Sequence, residues 1–161
     1  LLGDAFSFVR CAQALAHAHC PGRFETWTDG EITVHVDAAH NETGIVCALQ
    51  TLRSIHGPTV RPIVVVGISK DRDFAGMLPV LTASARHTVC TAARHKGTPS
   101  EALAVFAQGS THCTDSVTHA LAVARQLARE FPTPILVTGG LFLAAEALWS
   151  LQENDPLELR F

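Results

Sequence analysis

The sequence lacks the glycine-rich loops that hold nucleotide phosphates. The pattern G-x-x-x-x-G-K-[ST], whose backbone amides surround the phosphates of ATP, occurs nowhere in the 161 residues. The pattern G-x-G-x-x-G follows no predicted strand either, since Gly139-Gly140 has no third glycine. The chain therefore has no P-loop, and a dinucleotide-binding oxidoreductase domain is disfavoured.

Basic residues and long apolar runs are also scarce. The 12 Lys and Arg are outnumbered by 15 Asp and Glu, so there is no excess positive charge for nucleic acid or an anionic membrane. No apolar run approaches the roughly 20 residues of a membrane span. The Ala- and His-rich start has no basic segment of the secretory kind. We expect neither a nucleic-acid partner nor a membrane partner.

The five cysteines are widely spaced and form no C-x-x-C pair, so neither a disulfide framework nor a zinc site is indicated. His17-Ala-His19-Cys20 places three potential metal ligands close together. Its histidines do not share one helix face, however, and no second cluster partners them. We predict no metal site. Reduced cysteines favour the cytoplasm, with the mitochondrion as the alternative.

Hydrophobic periodicity predicts alternating strands and helices. Apolar residues recur at helical spacing from Phe6 to Ala16, and Pro21-Gly22 ends that helix. Asp29-Gly30 predicts a tight hairpin turn, because glycine supplies a positive φ there. The predicted strands cover residues 24–28, 32–36, 63–68, 87–91, 110–113 and 135–138, and the later helices cover 43–56, 73–85, 117–130 and 141–152, with a short one near 100.

Polar residues mark several helix starts. Asp73 is expected to be one N-cap, and Asp115 or Ser116 another. Thr98-Pro99-Ser100-Glu101 combines a capping box with proline at the first helical position. The alternation predicts an α/β, doubly wound fold with a Rossmann-like, mostly parallel six-stranded sheet, in which residues 24–28 form one antiparallel edge strand.

Ligands bind such sheets beyond the carboxyl ends of the strands, where this sequence collects polar residues. Asp37, at the end of residues 32–36, has two interpretations. A carboxylate there can accept hydrogen bonds from a ribose, whereas Asp37 and Asn41 can also simply cap the next helix. Spacing alone favours neither.

Four motifs resemble those of one enzyme family, in the same order along the chain. Asp37-Ala-Ala-His40-Asn41 resembles the D-x-A-H-N signature that opens the C-terminal domain of the dihydrofolate synthase and folylpolyglutamate synthase family, within the Mur ligases. Pro21-Gly-Arg23 resembles the linker of that family. The run from Val65 to Asp73 resembles its strand ending in K-D-x-D, and the run from Ile135 to Leu143 resembles its V-T-G-S-L-Y-L segment.

The resemblance implies an ATP-dependent ligase that forms an amide. In this family ATP phosphorylates a folate carboxylate, and the amine of glutamate then displaces the phosphate. ATP and Mg²⁺ are held mainly by an N-terminal P-loop domain of the same polypeptide. The implied partners are therefore that domain, ATP, L-glutamate, and folate or dihydropteroate. We expect a monomer, and whether first or later glutamates are added is left open.

The resemblance also implies a domain boundary. Residues 1–20 are expected to be the terminal helix and linker remnant of the N-terminal ATP-binding domain, and residues 21–161 the C-terminal glutamate ligase domain. Without an initiator Met or a P-loop, the chain is expected to be a fragment that is inactive alone. The alternatives are a nucleotide-binding or regulatory module with the same fold, and a cell-wall Mur ligase domain.

Site roles carry over by resemblance. Arg23 matches the arginine that reaches the ATP triphosphate, which suits a permanently charged guanidinium. Asp37 matches the carboxylate that contacts the ribose, and His40 matches the neighbouring histidine, assigned to ATP binding and catalysis. Lys70 matches a lysine at the reacting centre, where a cation can hold the glutamate carboxylate or developing negative charge.

Gly140 departs from the family pattern, because the family usually has serine there. A hydroxyl near the glutamate site is therefore missing, and Thr138 is the candidate to replace it. The loop at Arg94 also departs from the usual proline-arginine wording, so Arg94 is the weakest of the predicted ligand contacts.

Overall fold

The computed structural model describes residues 7–16 and 20–152. Helix α1, Phe8–Ala16, confirms the predicted amphipathic helix over those residues. The candidate ligands His17 and His19, and the tail after residue 152, lie outside the described part. No described helix is long and apolar enough to cross a membrane.

The predicted hairpin is present. Strands β1, Glu25–Asp29, and β2, Ile32–Val36, pair antiparallel. Gly30 occupies the connecting turn with φ of 62°, a backbone conformation that glycine adopts without a Cβ clash. The sequence signal at Asp29-Gly30 therefore identified the turn correctly.

Strands and helices alternate through the rest of the chain. Asn41 caps the helix after β2, Asp73 caps the next long helix, and Ser116 resolves the Asp115 or Ser116 alternative. The elements after β2 are α2 Glu42–His56, β3 Ile63–Val66, α3 Phe74–Ala83, β4 His87–Cys90, α4 Ser100–Ala104, β5 Thr111–Cys113, α5 Val117–Glu130, β6 Ile135–Thr138 and α6 Leu141–Leu151.

The six strands form one sheet in the order β1-β2-β6-β3-β4-β5. Only the β1–β2 pair is antiparallel, so the predicted sheet with one antiparallel edge strand is confirmed. Helices α2, α3 and α4 pack on one face, and α5 and α6 on the other. The fold is therefore doubly wound, with β6 and its neighbours at the point where the covering helices change sides.

Residues that alternate along the strands supply the two halves of the core. On β3, Ile63 and Val65 face α5 and α6, while Val64 and Val66 face α2 and α3. All four are fully buried, as expected for a strand covered on both faces. Helix α5 presents small buried residues at helical spacing, which lets its backbone approach the sheet closely: Ala120, Ala124 and Ala128.

The capping box predicted at Thr98 is wrong. The N-cap of α4 is Pro99, with no side-chain hydrogen bond. The Thr98 amide donates to the Ile68 carbonyl at 2.9 Å, and the Thr98 side chain is buried. This bond turns Thr98 inward, away from the first turn of α4. Helix α3 contains Pro79 in its interior.

Candidate functional site

Arg23, Asp37 and His40 meet at the carboxyl end of β2. The three line one cavity of about 230 Å³, together with Asn41 and the first turns of α2. Arg23 is exposed, whereas Asp37 and His40 are partly buried. The structure therefore brings together the three residues that the sequence assigned to ATP binding.

Asp37 bonds to the backbone through both carboxylate oxygens. One accepts the Phe24 amide at 3.0 Å, and the other accepts the Ala39 amide at 2.8 Å. The helix-capping role belongs to Asn41, whose side chain accepts the Gly44 amide at 2.8 Å. Asp37 thus joins the segment that carries Arg23 to the end of β2. The interpretation of Asp37 as a cap of α2 is wrong, because Asn41 is the cap.

Phe24 shapes this corner further. Its φ of 50° is unusual for a residue other than glycine, and such values concentrate at functional sites. Its ring stacks on His35, with centroids 4.8 Å apart. Backbone and ring together direct the chain between Arg23 and β1, so the position of Arg23 depends on Asp37 and His35.

His35 is buried at the base of this arrangement. Its Nδ1 lies 3.0 Å from the Thr26 hydroxyl, and its Nε2 lies 2.8 Å from Nε2 of His56. Burial, and then the nearby His56, lowers the pKa of His35 from 6.5 to about 4. His35 is therefore neutral at physiological pH and acts as a structural support for Phe24.

His40 lies between two cavities. Its Nδ1–H donates to the Ala38 carbonyl at 3.2 Å, so in the neutral ring Nε2 carries the lone pair. Beyond His40 is a second cavity of about 300 Å³, lined by Asp71, Arg72 and Asp73. His40 is thus placed to contact a ligand that extends across both cavities.

The carboxyl ends of the strands and the loops that follow them are here called the rim. Arg72 is a cation of the rim that the sequence motifs did not identify. It shares the second cavity with His40, whereas Lys70 is not among the residues lining either cavity. Both side chains are exposed. The signal was present, because Arg72 stands between the two aspartates of the motif that was assigned through Lys70. Lys70 as the catalytic cation stays a prediction.

The loop after β3, residues 67–73, carries Lys70 and is here called the Lys70 loop. It pairs with the loop after β4. The Lys70 amide donates to the Lys96 carbonyl at 3.0 Å, and Ser69 and Gly97 form an isolated β-bridge. Lys96 has φ of 56°, the second positive value outside glycine in the described part. A Cβ on Gly97 would lie 2.3 Å from the Ala93 carbonyl oxygen, so no side chain fits.

Thr138 lies at the end of β6, fully buried, and its hydroxyl has no hydrogen-bond partner among the described residues. Its role in glutamate binding stays a prediction. Gly140 has room for a side chain, since the nearest atoms to a built Cβ are 4.0 Å away. One of them is the hydroxyl oxygen of Ser69, which brings a different hydroxyl near the position of the missing serine.

Arg94 lies within the loop between β4 and α4. Its amide donates to a carboxylate oxygen of Glu146 at 2.6 Å, while its own side chain is exposed. Both residues line a separate cavity of about 230 Å³ near the start of α5. Glu146 carried no sequence signal, because its partner is 52 residues away.

The largest described cavity, about 600 Å³, lies at the opposite end of the sheet, beside the β1–β2 turn. It contains none of the predicted site residues, so size alone does not identify the site. The carboxyl end instead shows close backbone approach. A Cβ on Gly139 would lie 2.7 Å from the Gly67 carbonyl oxygen, where the ends of β3 and β6 meet.

Comparison with known proteins identifies similar chains. Residues 22–141 match the family described as Mur ligase, glutamate ligase domain. Folylpolyglutamate synthase of Lacticaseibacillus casei is 32% identical over 136 residues, which cover 83% of this chain and 30% of that protein. A UDP-N-acetylmuramoyl-L-alanyl-D-glutamate–2,6-diaminopimelate ligase of Geobacillus thermodenitrificans is 42% identical over 74 residues, or 45% of this chain and 15% of that one.

Solved structures agree. The structure of Mycobacterium tuberculosis folylpolyglutamate synthase complexed with ADP and AMPPCP superposes with a TM-score of 0.78 at 27% identity. The match covers 94% of this chain and 36% of that one. The chain therefore spans about a third of the length of the folylpolyglutamate synthases that it matches.

Proposed function

Because this chain belongs to the Mur ligase family, glutamate ligase domain, we propose that it is the C-terminal part of a ligase that joins glutamate to a folate or dihydropteroate carboxylate. The family is one of ATP-dependent, amide-forming ligases. Similarity to folylpolyglutamate synthase over 83% of this chain supports the folate branch.

One observation supports the proposal above all others: Arg23, Asp37 and His40 surround a single cavity at the carboxyl end of the sheet. A guanidinium, a carboxylate and an imidazole in that setting suit a ligand with phosphates and sugar hydroxyls. Asp37 already accepts two backbone amides, and each of its oxygens keeps a second lone pair for a ribose hydroxyl.

The proposed reaction proceeds through an acyl phosphate. An oxygen of the acceptor carboxylate attacks the γ-phosphorus of ATP, and the bond from that phosphorus to the ADP oxygen breaks. The glutamate amine then attacks the acyl carbon. A C–N bond forms, the amine loses a proton, and inorganic phosphate leaves. Arg23, Arg72 and Lys70 would counter the negative charge that develops in these steps.

The described residues do not fit Mg²⁺. No group of three or more His, Cys, Asp or Glu in residues 7–16 and 20–152 is arranged to hold a metal ion. We propose that Mg²⁺ binds mainly to the partner domain.

The domain is proposed to work joined to an N-terminal P-loop domain of the same polypeptide, in the cytoplasm. Residues 1–20 would form the terminal helix and linker of that domain, and residues 21–161 the closing half of the active site. The absence of a P-loop from the sequence supports this division of labour. Alone, the chain would bind part of the nucleotide without turning it over.

A cell-wall ligase is the second candidate. The local identity of 42% to the diaminopimelate ligase favours it, but that match covers only 45% of the chain. The folylpolyglutamate synthase match is lower in identity and extends over nearly twice as much of the chain. We therefore rank the folate reading first.

The test is ADP release by the complete ligase that contains this chain, with the 161-residue chain alone as control. Release should require glutamate together with dihydropteroate or a reduced folate, and the isolated chain should release none. Release with a UDP-muramoyl dipeptide and diaminopimelate instead would transfer the chain to the cell-wall branch. An ¹⁸O label in the acceptor carboxylate should appear in the inorganic phosphate, and its absence would exclude the acyl phosphate.

A further inference from the structure

We propose that Glu146, on α6, is a positioning residue for the two cationic loops of the rim. This role goes beyond the resemblance, which assigned nothing to Glu146, and its catalytic consequence depends on the proposed function. The primary observation is the 2.6 Å hydrogen bond from the Arg94 amide to the Glu146 carboxylate.

A second contact attaches the same loop to the same helix. The ring of Phe142, one helical turn before Glu146, meets the ring of His95 edge to face with centroids 4.4 Å apart. Helix α6 thus holds two consecutive loop residues, Arg94 through a carboxylate and His95 through an aromatic ring. The middle of the β4–α4 loop is thereby attached to the helix that follows β6.

Backbone hydrogen bonds connect the β4–α4 loop to the Lys70 loop. The Lys96 carbonyl accepts the Lys70 amide at 3.0 Å, and the Thr98 amide donates to the Ile68 carbonyl at 2.9 Å. Gly97, between the two bonds, packs so tightly on the backbone of Ala93 that no Cβ fits. A displacement at Arg94 therefore moves Lys96, and with it the backbone that places Lys70.

The function of Glu146 in this arrangement is to accept a hydrogen bond, and its charge is secondary. Glutamine keeps an acceptor oxygen on a side chain of the same length, whereas alanine has no acceptor and methionine has only a weakly accepting thioether sulfur. Glu146→Gln should therefore preserve the geometry, while Glu146→Ala and Glu146→Met should lose it. A residue that contacted the amine of a substrate through its charge would not be rescued by glutamine.

The first measurement is amide hydrogen exchange in the 161-residue chain. Glu146→Ala and Glu146→Met should each speed exchange at Arg94 and Lys70 by about tenfold, the usual consequence of losing one hydrogen bond. Amides of β3 and β6 should be unchanged, and Glu146→Gln should stay close to wild type. Glu130→Ala, a matched change at an exposed glutamate of α5, should alter neither loop. Unchanged exchange at Lys70 in both variants that lack the acceptor would overturn the proposal.

The second measurement separates this role from the proposed function. In the complete ligase, Glu146→Ala should raise KM for glutamate about tenfold with a smaller change in kcat, because the loops are misplaced and the reacting groups remain. Glu146→Gln should restore KM. Equal loss in both variants would show that the charge itself acts and would overturn positioning. A ligase inactive toward every folate acceptor, with the exchange result intact, would refute only the proposed function.

Discussion

Two corners of the rim hold their loops in the same manner with different parts of the chain. The Asp37 corner consists of Arg23, Phe24 and Asp37, and the Glu146 corner consists of Lys70, Arg94, Lys96 and Glu146. In each corner a carboxylate accepts a backbone amide, and each contains a non-glycine residue with positive φ. The carboxylates bond to backbone amides and not to the cationic side chains of the corners. Those cationic side chains therefore remain available for a ligand.

The corners differ in the number and reach of their bonds. Asp37 makes two such bonds, one of them to Phe24, 13 positions earlier. Glu146 makes one, to a residue 52 positions earlier. The Asp37 corner therefore forms when the linker meets the end of the β1–β2 hairpin, while the Glu146 corner forms only once β4 and β6 lie in the same sheet.

The largest effect is expected from Gly97→Ala in the Glu146 corner. The new methyl group would lie 2.3 Å from the Ala93 carbonyl oxygen, so the backbone must shift. We expect a loss of about 3 kcal/mol in the free energy of unfolding, the upper end of overpacking costs. Gly44→Ala is the matched change in the neighbourhood of Asp37. Its nearest contact is 3.1 Å and alanine favours the helix, so it should stay within about 1 kcal/mol of wild type. Equal losses in urea unfolding would contradict this distinction.

Removal of single cations should lower turnover next. Arg23→Ala in one corner and Lys70→Ala in the other should each reduce kcat/KM of the complete ligase by roughly 10²-fold, as for other groups that stabilise developing charge. Arg72→Ala tests whether Arg72 or Lys70 is the cation that acts at the second cavity. Arg129→Ala, at the opposite end of the sheet, is the control and should have no effect. A normal rate for Lys70→Ala with a large loss for Arg72→Ala would move the assignment to Arg72.

Acid should loosen the Asp37 corner in particular. The pKa of His35, lowered by burial and by His56 to about 4, lies below that of the unfolded chain at 6.5. Stability present above pH 6.5 is therefore lost as the pH falls toward 4, by on the order of 2 kcal/mol. Stability should be measured by urea unfolding at a series of pH values from about 7.5 to about 4, a range that includes both pKa values. His35→Gln should flatten that dependence, whereas His119→Gln, at an exposed position of α5, should keep it.

The smallest effect is the difference between Asp37, whose carboxylate accepts two backbone amides, and Glu146, whose carboxylate accepts one. Asp37→Asn leaves one of the two amides facing an NH₂ group and should cost about 1 kcal/mol, because a donor loses its acceptor. Glu146→Gln keeps its single acceptor and should cost less than about 0.5 kcal/mol. Unfolding midpoints of the two variants in urea provide the comparison. A larger loss for Glu146→Gln would reverse the proposed roles of the two carboxylates.

Much of the architecture was predictable because its signals are local. Asp29-Gly30 marked the hairpin, Asp73 marked a helix start, and the alternation of apolar runs indicated the doubly wound sheet. The capping box at Thr98 failed because a bond to Ile68, distant in sequence, turns that residue inward. Local patterns carry no information about such a partner.

The site was predictable in part. The motifs identified Arg23, Asp37 and His40, which the structure brings together. The motifs did not reveal that both oxygens of Asp37 bind backbone amides, since that requires the linker to fold back onto β2. Glu146 was not predictable, because a half-buried glutamate on a helix has no distinguishing sequence pattern.

Pro79 has a mechanical consequence for the rim. It has no amide hydrogen, so the Ala75 carbonyl in the first turn of α3 loses its usual helical partner. That turn follows directly after the residues 70–73 and is joined to the rest of the helix by one fewer bond. The first turn of α3 is therefore tied to the rest of the helix less strongly than the buried turns around Leu78 and Leu81 are tied to each other.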